Sequence, residues 1–425
     1  MSLQMVVIFF ILLLLGVPIF VSLGVSSIIV LLLNSRIPLS MIPNVMFQSI
    51  DSFILVAVPL FMLTGNIMMR GGMAQRLFDF ANSIVGCFKG GLGAVNVVAS
   101  MIFGGMSGSS VADTVGLGPI EIEAMVRFKY PKSYAAALSC ASSTLSVIIP
   151  PSILLLIYAV IAEVSVAKAL IAGILPGMFL SCVMMSVNYF QAKRNNWGAS
   201  EAFKIPNVLK NMKQSILALF TPVVLLGGIV SGVFTPTESA SAAVLYAFLI
   251  CICFYKEMKI RDLYRIIMDT AKMASVPLIL IGVSALTSFV LIMDQLPMKL
   301  SRFLLTFSED PNVIILLIML ILLIVGCFMA ATVNLIIFTP LFMPLISQLG
   351  LDPIHFGIIM VGALAVGELT PPVGGSLFAI IAVSKLPMGD IVKKLVPFYI
   401  GLILGVIVLA FFPSISLILP KIILK

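Results

Sequence analysis

A pair of prolines, Pro150-Pro151, lies in the middle of the apolar stretch STLSVIIPPSILLL (143–156), which otherwise has the composition of a membrane-spanning helix. Proline lacks a backbone N–H group and its ring clashes with the preceding turn, at a cost of about 3 kcal/mol or more inside a helix. The pair therefore breaks the helix at a depth where no water satisfies the freed carbonyls. This feature restricts the chain to folds in which the broken backbone faces protein or a water-filled cavity.

Composition indicates a membrane protein. The chain has 425 residues, 61% hydrophobic and 10% charged, with a mean hydropathy of +1.22. Soluble domains carry about 25% charged residues, so we expect one integral membrane domain, 1–425. No basic run alternates with aromatic residues, which argues against nucleic-acid binding despite the net charge of +8. Residues 1–20 lack a basic start and a small-residue cleavage site, which predicts a first span rather than a signal peptide.

Side chains suited to catalysis or metal binding are sparse. The six cysteines lie in apolar surroundings without a CxxC motif, as is typical of free thiols packed as small apolar groups. The single histidine and the lack of a cluster with ligand spacing argue against a metal enzyme. We therefore expect no catalytic residues and no organic cofactor.

Apolar segments predict an all-α polytopic protein with about eleven transmembrane helices and two re-entrant hairpins. The segments lie near 3–33, 50–69, 92–126, 133–161, 166–190, 215–235, 238–255, 274–293, 312–349, 355–384 and 397–420. Two are too long for one span and have a polar, small-residue centre, GGMSGSSVADTVGLG (104–118) and GCFMAATVNLIIFTP (326–340). Such a centre between two short apolar arms predicts a hairpin that protein or a water-filled cavity surrounds.

The distribution of basic residues supports hairpins that enter from opposite sides. If 92–126 enters and leaves on the cytoplasmic side and 312–349 on the other, most of the 25 lysines and arginines become cytoplasmic, the usual bias. The other side then keeps Arg36, Lys168, Lys299, Arg302, Lys421 and Lys425. This arrangement predicts a cytoplasmic N-terminus and a periplasmic C-terminus.

The two halves of the chain repeat one pattern in opposite orientation. VPLFMLTG (58–65) matches VPLILIGV (276–283), and the first proline pair recurs as Pro371-Pro372. Each hairpin centre precedes its proline pair by 41 residues, counted from Ser109 and from Ala330. An inverted repeat with broken helices in corresponding positions indicates a secondary transporter whose site lies at the breaks.

Three amphipathic stretches predict interfacial helices along the membrane, with apolar residues at helical spacing and charges on the opposite face. They are 71–91, 201–214 and 294–312. Ordinary connecting loops are the alternative interpretation of the same stretches.

The hairpin centres and the breaks supply polar groups for transport. A broken helix exposes carbonyls that can ligate Na⁺ and N–H groups that favour an anion. The candidates are Ser107, Ser109 and Ser110 with Ser146 and Ser152 in the first half, and Thr332 and Asn334 with Gly367, Thr370 and Val373 in the second. The alternative is that these residues only allow close helix packing.

Ionisable residues inside apolar segments are further candidates, because charge is expensive there. Asp113 follows the first hairpin centre and could equally cap the returning helix, and Glu368 precedes the second proline pair. Glu238, after FTPT, is interpreted as a helix cap. His355, at a membrane edge, is interpreted as a structural hydrogen-bonding residue.

Six motifs together resemble the large membrane subunit of the tripartite ATP-independent periplasmic (TRAP) transporters. They are FGGMSGSSVADT, IIPPSI, AGILPG, TPTESA, LGLDPIHFG and ELTPPVGGSLF, and they extend over nearly the whole chain. The resemblance implies an elevator-type transporter in a bacterial inner membrane, in which a Na⁺ gradient drives uptake of organic acids. It also implies two partners, a periplasmic substrate-binding protein and a small four-helix membrane subunit.

Residue by residue, the resemblance implies two Na⁺ sites and a substrate site. The first Na⁺ site would use Ser107, Ser110, Ser146, Ile149 and Pro151. The second would use Gly326, Thr332, Gly367, Thr370 and Val373. The organic anion, a carboxylate or sulfonate, would lie against Ser107, Ser109, Ser152 and Asn334.

Two residues depart from the family pattern. Members commonly have Phe-Met-Asp where this chain has Phe328-Met329-Ala330, and often glycine where it has Ser146. The missing aspartate removes a charged contact near the substrate. We therefore expect a substrate without the amine or multiple hydroxyl groups that sialic acid would offer to an aspartate.

Transport elements are expected at 87–190 and 310–396, and mainly scaffold at 1–86, 200–309 and 397–425. A stand-alone Na⁺/dicarboxylate symporter of the same architecture is one alternative. A channel or an intramembrane enzyme is another, but the sequence has neither a charged ring nor a nucleophile–base pair to support it.

Overall fold

The computed structural model describes residues 1–33, 38, 40–198 and 203–424, and over these ranges it is helical without strands. Arg36, Lys425 and the boundary expected at 200 lie outside the described residues. Seven of the described helices are long and apolar enough to cross a membrane. The expected all-α polytopic fold is confirmed.

The first half of the chain runs from a pair of short helices to the long helix that follows the first broken helix. Its helices are α1 (Ser2–Leu14), α2 (Ile19–Leu33), α3 (Met41–Ile50), α4 (Ala57–Arg70), α5 (Met73–Val85), α6 (Gly91–Ser107), α7 (Ser110–Gly116), α8 (Gly118–Arg127), α9 (Lys132–Ser142), α10 (Ile153–Ile161), α11 (Val166–Ala172) and α12 (Ile174–Asn195). Short 3₁₀ segments, Phe53–Val56 and Ser143–Val147, precede α4 and follow α9.

The second half begins with two long antiparallel helices. Its helices are α13 (Ile205–Val230), α14 (Pro236–Leu249), α15 (Ile260–Met293), α16 (Leu296–Leu305), α17 (Pro311–Gly326), α18 (Ala331–Gln348), α19 (Pro353–Gly367), α20 (Gly375–Ser384), α21 (Met388–Phe411) and α22 (Pro413–Ile423). A π-helical turn, Ile250–Phe254, follows α14.

Both halves have the same order of elements. α4 and α15 each lead into an amphipathic helix, α5 or α16, and then into a hairpin, α6 to α8 or α17 to α18. A broken helix follows, α9 with α10 or α19 with α20, and then α12 or α21 as a long helix. The helices break at the two proline pairs, and both proline–proline peptide bonds are cis. The repeat found in the sequence is therefore present in the fold.

The hairpin turns lie at the predicted polar centres. α6 ends at Ser107, and Gly108 turns the chain with φ +62° before α7 begins at Ser110. The second hairpin turns between Gly326 and Ala331. With 16 residues, α17 is about 24 Å long, which is less than the hydrocarbon thickness of about 30 Å. The second hairpin therefore cannot cross upright on this arm.

The N-terminal segment differs from the single span expected over 3–33. Gly16, at φ +78°, and Pro18 separate α1 from α2. The Ser27 hydroxyl of α2 contacts the Met5 sulfur of α1 at 3.5 Å, so the start of one helix lies beside the end of the other. The segment is an antiparallel helix pair, because glycine in the left-handed region and proline favour a turn at this point.

This helix pair changes the position of the N-terminus. The Ser2 amide donates to Asp294 Oδ2 at 2.9 Å, and Lys299 donates to the other carboxylate oxygen at 3.1 Å. Ser2 therefore lies at the same end of the molecule as Lys299. A cytoplasmic N-terminus and a periplasmic Lys299 cannot both hold.

Two of the three amphipathic stretches form separate helices, α5 and α16. The described part of the third, from Ile205, is continuous with the apolar part of α13, while residues 201–202 lie outside the described residues. The last apolar segment also divides, because Phe412 and Pro413 separate α21 from α22.

Candidate functional site

Polar groups of the hairpins and the broken helices meet at two places, one in each half. We call residues 107–110 the first tip and 148–152 the first break. Residues 326–331 are the second tip and 368–374 the second break.

The first tip touches the first break through its backbone. A Cβ atom added to Gly104 would lie 2.5 Å from the Ser146 Cα atom, and one added to Gly108 would lie 2.5 Å from the Pro151 carbonyl oxygen. The Ile153 amide also donates to the Gly108 carbonyl oxygen at 3.3 Å. Only glycine allows backbones to approach this closely.

The second tip meets the second break in a corresponding way. A Cβ atom added to Gly326 would lie 2.9 Å from the Gly367 Cα atom. The Val373 amide donates to the Cys327 carbonyl oxygen at 3.0 Å. Each tip is therefore held against the break of its own half by a close glycine contact and a backbone hydrogen bond.

Three serines expected at the first Na⁺ site have different environments. Ser107 Oγ is buried without a hydrogen-bond partner. Ser110 Oγ donates to Glu368 Oε2 at 2.7 Å, and Ser146 Oγ donates to Asp113 Oδ2 at 2.9 Å. The Ser146 hydroxyl, at a position where the family often has glycine, thus has a partner. Asp113 does not cap a helix, because its side chain bonds to the segment that leads into the break.

The remaining members of that set offer backbone oxygens. Pro151 directs its carbonyl oxygen at the tip, as the contact with Gly108 shows. The Ile149 side chain packs against Gly177 of α12, which leaves its backbone carbonyl as the group that could ligate an ion.

Two serines expected to contact the substrate serve as helix caps. Ser152 accepts a hydrogen bond from the Leu155 amide at 3.0 Å and donates to the Val147 carbonyl oxygen. Ser109 accepts from the Ala112 amide at 3.4 Å. These contacts start α10 and α7 at the break and at the tip.

In the second half, Asn334 has the most unusual environment. It is fully buried, its Nδ2 atom donates to the Met329 carbonyl oxygen at 3.0 Å, and its Oδ1 atom has no partner. Thr370 Oγ1 donates within its own turn to the Val366 carbonyl oxygen at 3.1 Å. Thr332 is half-buried.

Glu368 connects the two tips, which the sequence did not indicate. Its Oε1 atom accepts from the Ala331 amide at 2.9 Å, at the start of α18, while its Oε2 atom accepts from Ser110 of the first tip. The carboxylate is almost fully buried. A single side chain thus contacts both repeats.

A buried polar network lies behind the first tip, and the sequence patterns did not predict it. Asn96 Nδ2 donates to Glu121 Oε2 at 2.8 Å and to Ser139 Oγ at 2.6 Å. Ser142 donates to Asn96 Oδ1 at 2.7 Å, and Ser100 donates to Ser142 at 2.9 Å. Glu121, an acidic residue within the apolar segment 92–126, is the sequence feature from which this network could have been predicted. The network ties α6, α8 and α9 together.

Replacing Asn96 with alanine is expected to lower the free energy of unfolding by about 2–3 kcal/mol, because Glu121 and Ser142 lose their buried partner. Denaturant unfolding of the purified protein in detergent measures the change. Asn195→Ala is the control, since that side chain bonds only to the Gln191 carbonyl oxygen of its own exposed helix turn. Equal stability of the two variants would contradict the role of the network.

Two candidates have structural roles, as interpreted from the sequence. Glu238 forms a capping box with Thr235 at the start of α14. The two ring nitrogens of His355 lie 3.3 Å from Ser416 Oγ and 3.4 Å from the Ala410 carbonyl oxygen. Both residues are engaged at helix ends.

The chemistry of the tips fits a small hard cation. Serine hydroxyls and backbone carbonyls are oxygen ligands, and Ser107 Oγ and Asn334 Oδ1 are buried without partners. Over the described residues, no group of three or more His, Cys, Asp and Glu side chains could hold a metal ion. Oxygen atoms at broken helices are common ligands of Na⁺, so the residues of the tips and breaks fit the ion that the resemblance implies.

Comparison with known proteins agrees with this fold. A family model described as "Tripartite ATP-independent periplasmic transporter, DctM component" matches residues 6–415. The chain is 36% identical over 400 residues to the C4-dicarboxylate TRAP transporter large permease protein DctM of Pseudomonas aeruginosa, with 94% of each chain covered. It is 35% identical over 409 residues to the sialic acid TRAP transporter large permease protein SiaM of Vibrio cholerae, with 96% of each covered.

A solved structure shares the fold. The YdaH transporter of Alcanivorax borkumensis superposes with a TM-score of 0.63 over 87% of both chains, at 14% sequence identity. At that identity the likeness concerns the fold alone.

Proposed function

Because the chain belongs to the family of DctM components of tripartite ATP-independent periplasmic transporters, we propose that it is the large membrane subunit of a Na⁺-driven importer of an organic acid anion. A periplasmic binding protein delivers the anion, and a small four-helix membrane subunit supports the scaffold. The two relatives described above are transporter permeases, in keeping with the expectation that the chain is not an enzyme.

Two buried oxygens carry the proposal. Ser107 Oγ and Asn334 Oδ1, one from each hairpin, have no hydrogen-bond partner. An unsatisfied buried polar atom costs about 1–3 kcal/mol, and a ligand that contacts it removes that cost. Neither tip nor break contains a lysine or arginine. The charge of the anion is then balanced by Na⁺ and by helix N-termini.

The mechanism that we propose is an elevator. The transport elements, expected at 87–190 and 310–396, move as a unit against a scaffold made mainly of 1–86 and 200–309. Residues 397–424, expected as scaffold, belong to the moving unit in this proposal, because α21 is continuous across residue 396 and Ser416 of α22 lies 3.3 Å from His355 of α19. Na⁺ ligated by the tips and breaks orders the site, and the anion binds between the tips. Translocation then exposes both to the cytoplasm.

Reconstitution into proteoliposomes tests the proposal. Uptake of radiolabelled organic anions is measured under an inward Na⁺ gradient and under K⁺, with and without the binding protein and the small subunit from the same bacterium. We expect uptake only with Na⁺ and both partners. Na⁺-driven uptake by this chain alone would favour the stand-alone symporter, and uptake without any Na⁺ dependence would contradict the proposal.

We also propose that the N-terminus is periplasmic, because Ser2 lies beside Asp294 and Lys299 and the distribution of basic residues places Lys299 outside the cytoplasm. In a cysteine-free background in intact cells, a membrane-impermeant maleimide is expected to label Lys299→Cys and Leu3→Cys, the latter at an exposed position next to Ser2. It should not label Arg265→Cys, the cytoplasmic control. Labelling of Lys299→Cys together with protection of Leu3→Cys would contradict a periplasmic N-terminus.

The substrate is expected to be a small carboxylate or sulfonate without an amine. Ala330, at the second tip, offers no charged contact to an amine or to several hydroxyl groups. Competition of uptake by a panel of dicarboxylates, sulfonates and sialic acid checks this expectation. Tight sialic-acid transport would contradict it.

A further inference from the structure

Glu368 is the one acidic side chain among the described residues that hydrogen-bonds to both hairpin tips. Ser110, the first residue of α7, donates to one carboxylate oxygen at 2.7 Å, and the amide of Ala331, the first residue of α18, donates to the other at 2.9 Å. The two donors belong to opposite repeats. Breaking either contact leaves a buried acceptor short of a partner.

The charge of Glu368 has no basic counterpart. The carboxylate is 6% exposed, and none of the ion pairs among the described residues includes it. A buried carboxylate costs several kcal/mol unless an opposite charge or strong hydrogen bonds compensate it. Two neutral donors supply only part of that compensation, so a cation close to Glu368 would be stabilised.

Ser110 provides the place for that cation. Its hydroxyl proton is used in the bond to Glu368, so the oxygen lone pairs remain for a ligand. The neighbouring Ser107 hydroxyl has no partner at all. We infer that Glu368 supplies the counter-charge for Na⁺ at the first tip and, through the amide of Ala331, positions the second tip. This inference rests on the proposed Na⁺-driven function.

The two bonds give Glu368 a coupling role. Na⁺ at the first tip favours the carboxylate position that also holds the start of α18, so one ion orders both tips. A purely structural role as a cap is the competing explanation, because Ala330 precedes α18 without a side-chain acceptor. The two explanations differ in whether the charge of Glu368 or only its hydrogen bonds matter.

A Na⁺ titration of the purified chain separates them. The apparent melting temperature is followed by the fluorescence of Trp197, the only tryptophan in the sequence. Its ring centroid lies 4.5 Å from that of Tyr134. Na⁺ replaces K⁺ at constant ionic strength. Glu368→Gln keeps an acceptor for the amide of Ala331 but removes the charge, and is expected to raise the Na⁺ concentration for half effect about tenfold or more. Its melting temperature in K⁺ alone should remain near that of the unsubstituted protein.

Two further variants complete the test. Glu368→Asp retains the charge and should keep the Na⁺ response that Glu368→Gln loses, so the role of the charge is still measured if the glutamine variant does not fold. Glu123→Gln, at an exposed glutamate paired with Arg127, should respond as the unsubstituted protein does.

A glutamine variant with an unchanged Na⁺ response, or an aspartate variant that loses it, overturns the inference while the proposed function stands. If the unsubstituted protein shows no Na⁺ response, Na⁺ coupling itself is wrong, and the inference is overturned with it. The two failures are therefore distinguishable.

Discussion

Gly326→Ala is expected to reduce Na⁺-driven uptake at least about tenfold while the protein still folds. The new methyl group would lie 2.9 Å from the Gly367 Cα atom, which belongs to backbone and cannot rotate away. Overpacking of this kind costs about 1–3 kcal/mol, and about 1.4 kcal/mol corresponds to a factor of ten in rate or affinity. The second tip must move from its break, which disperses the oxygens expected to ligate Na⁺.

Proteoliposome uptake measures this effect, with melting temperature as the check of folding. Gly104→Ala should behave similarly, since its methyl group would meet the Ser146 backbone at 2.5 Å. Gly227→Ala in α13 is the matched control, because a methyl group there would have no atom within 4 Å. Normal uptake by Gly326→Ala would show that the close contact of the second tip is not needed for transport.

Ser107→Ala is expected to weaken Na⁺ binding about tenfold or more without destabilising the Na⁺-free protein. Ser107 Oγ is buried and unpartnered. Removing such a hydroxyl relieves a desolvation penalty of about 1–3 kcal/mol, so the melting temperature in K⁺ should stay constant or rise. If the hydroxyl ligates Na⁺, the stabilisation by Na⁺ should fall in the same variant. A bulkier replacement at Ser107 or at Thr370 should abolish Na⁺-dependent uptake.

The prediction is specific because Ser107→Ala should keep or raise the melting temperature in K⁺ but lower the stabilisation by Na⁺. Ser284→Ala is the control, since Ser284 Oγ is also buried without a partner but lies in α15 of the scaffold. In K⁺, the melting temperature of Ser284→Ala should change as that of Ser107→Ala does. Its stabilisation by Na⁺ should equal that of the unsubstituted protein. A Ser107→Ala protein that keeps the full Na⁺ response would remove Ser107 from the first Na⁺ site.

The two hairpins and two breaks could be predicted from the sequence because their causes are local. Pro150-Pro151 and Pro371-Pro372 remove backbone donors wherever they stand in a helix. The glycine- and serine-rich centres make a turn at Gly108 and between Gly326 and Ala331. The repeated distance of 41 residues pairs each hairpin with the break of its own half.

The N-terminal helix pair shows the limit of hydropathy. Residues 3–33 are mostly apolar and contain no charged residue, so a window of about one span finds no boundary inside them. Only Gly16 and Pro18 mark the turn, and isolated residues of these types are also common within membrane helices. The contacts Ser27–Met5 and Ser2–Asp294 determine that the segment doubles back.

The sequence alone therefore determined where this chain breaks its helices and which polar groups it places at the breaks, since both follow from residues adjacent in the chain. Only the tertiary structure decided which groups meet. Ser110 and Glu368 are 258 residues apart, and Asp113 and Ser146 are 33 apart. The first pair depends on how the two repeats interlock, and the second on how the first hairpin packs against the break of its own half. Local sequence patterns leave that packing undetermined, because many helix arrangements bury the same apolar surface.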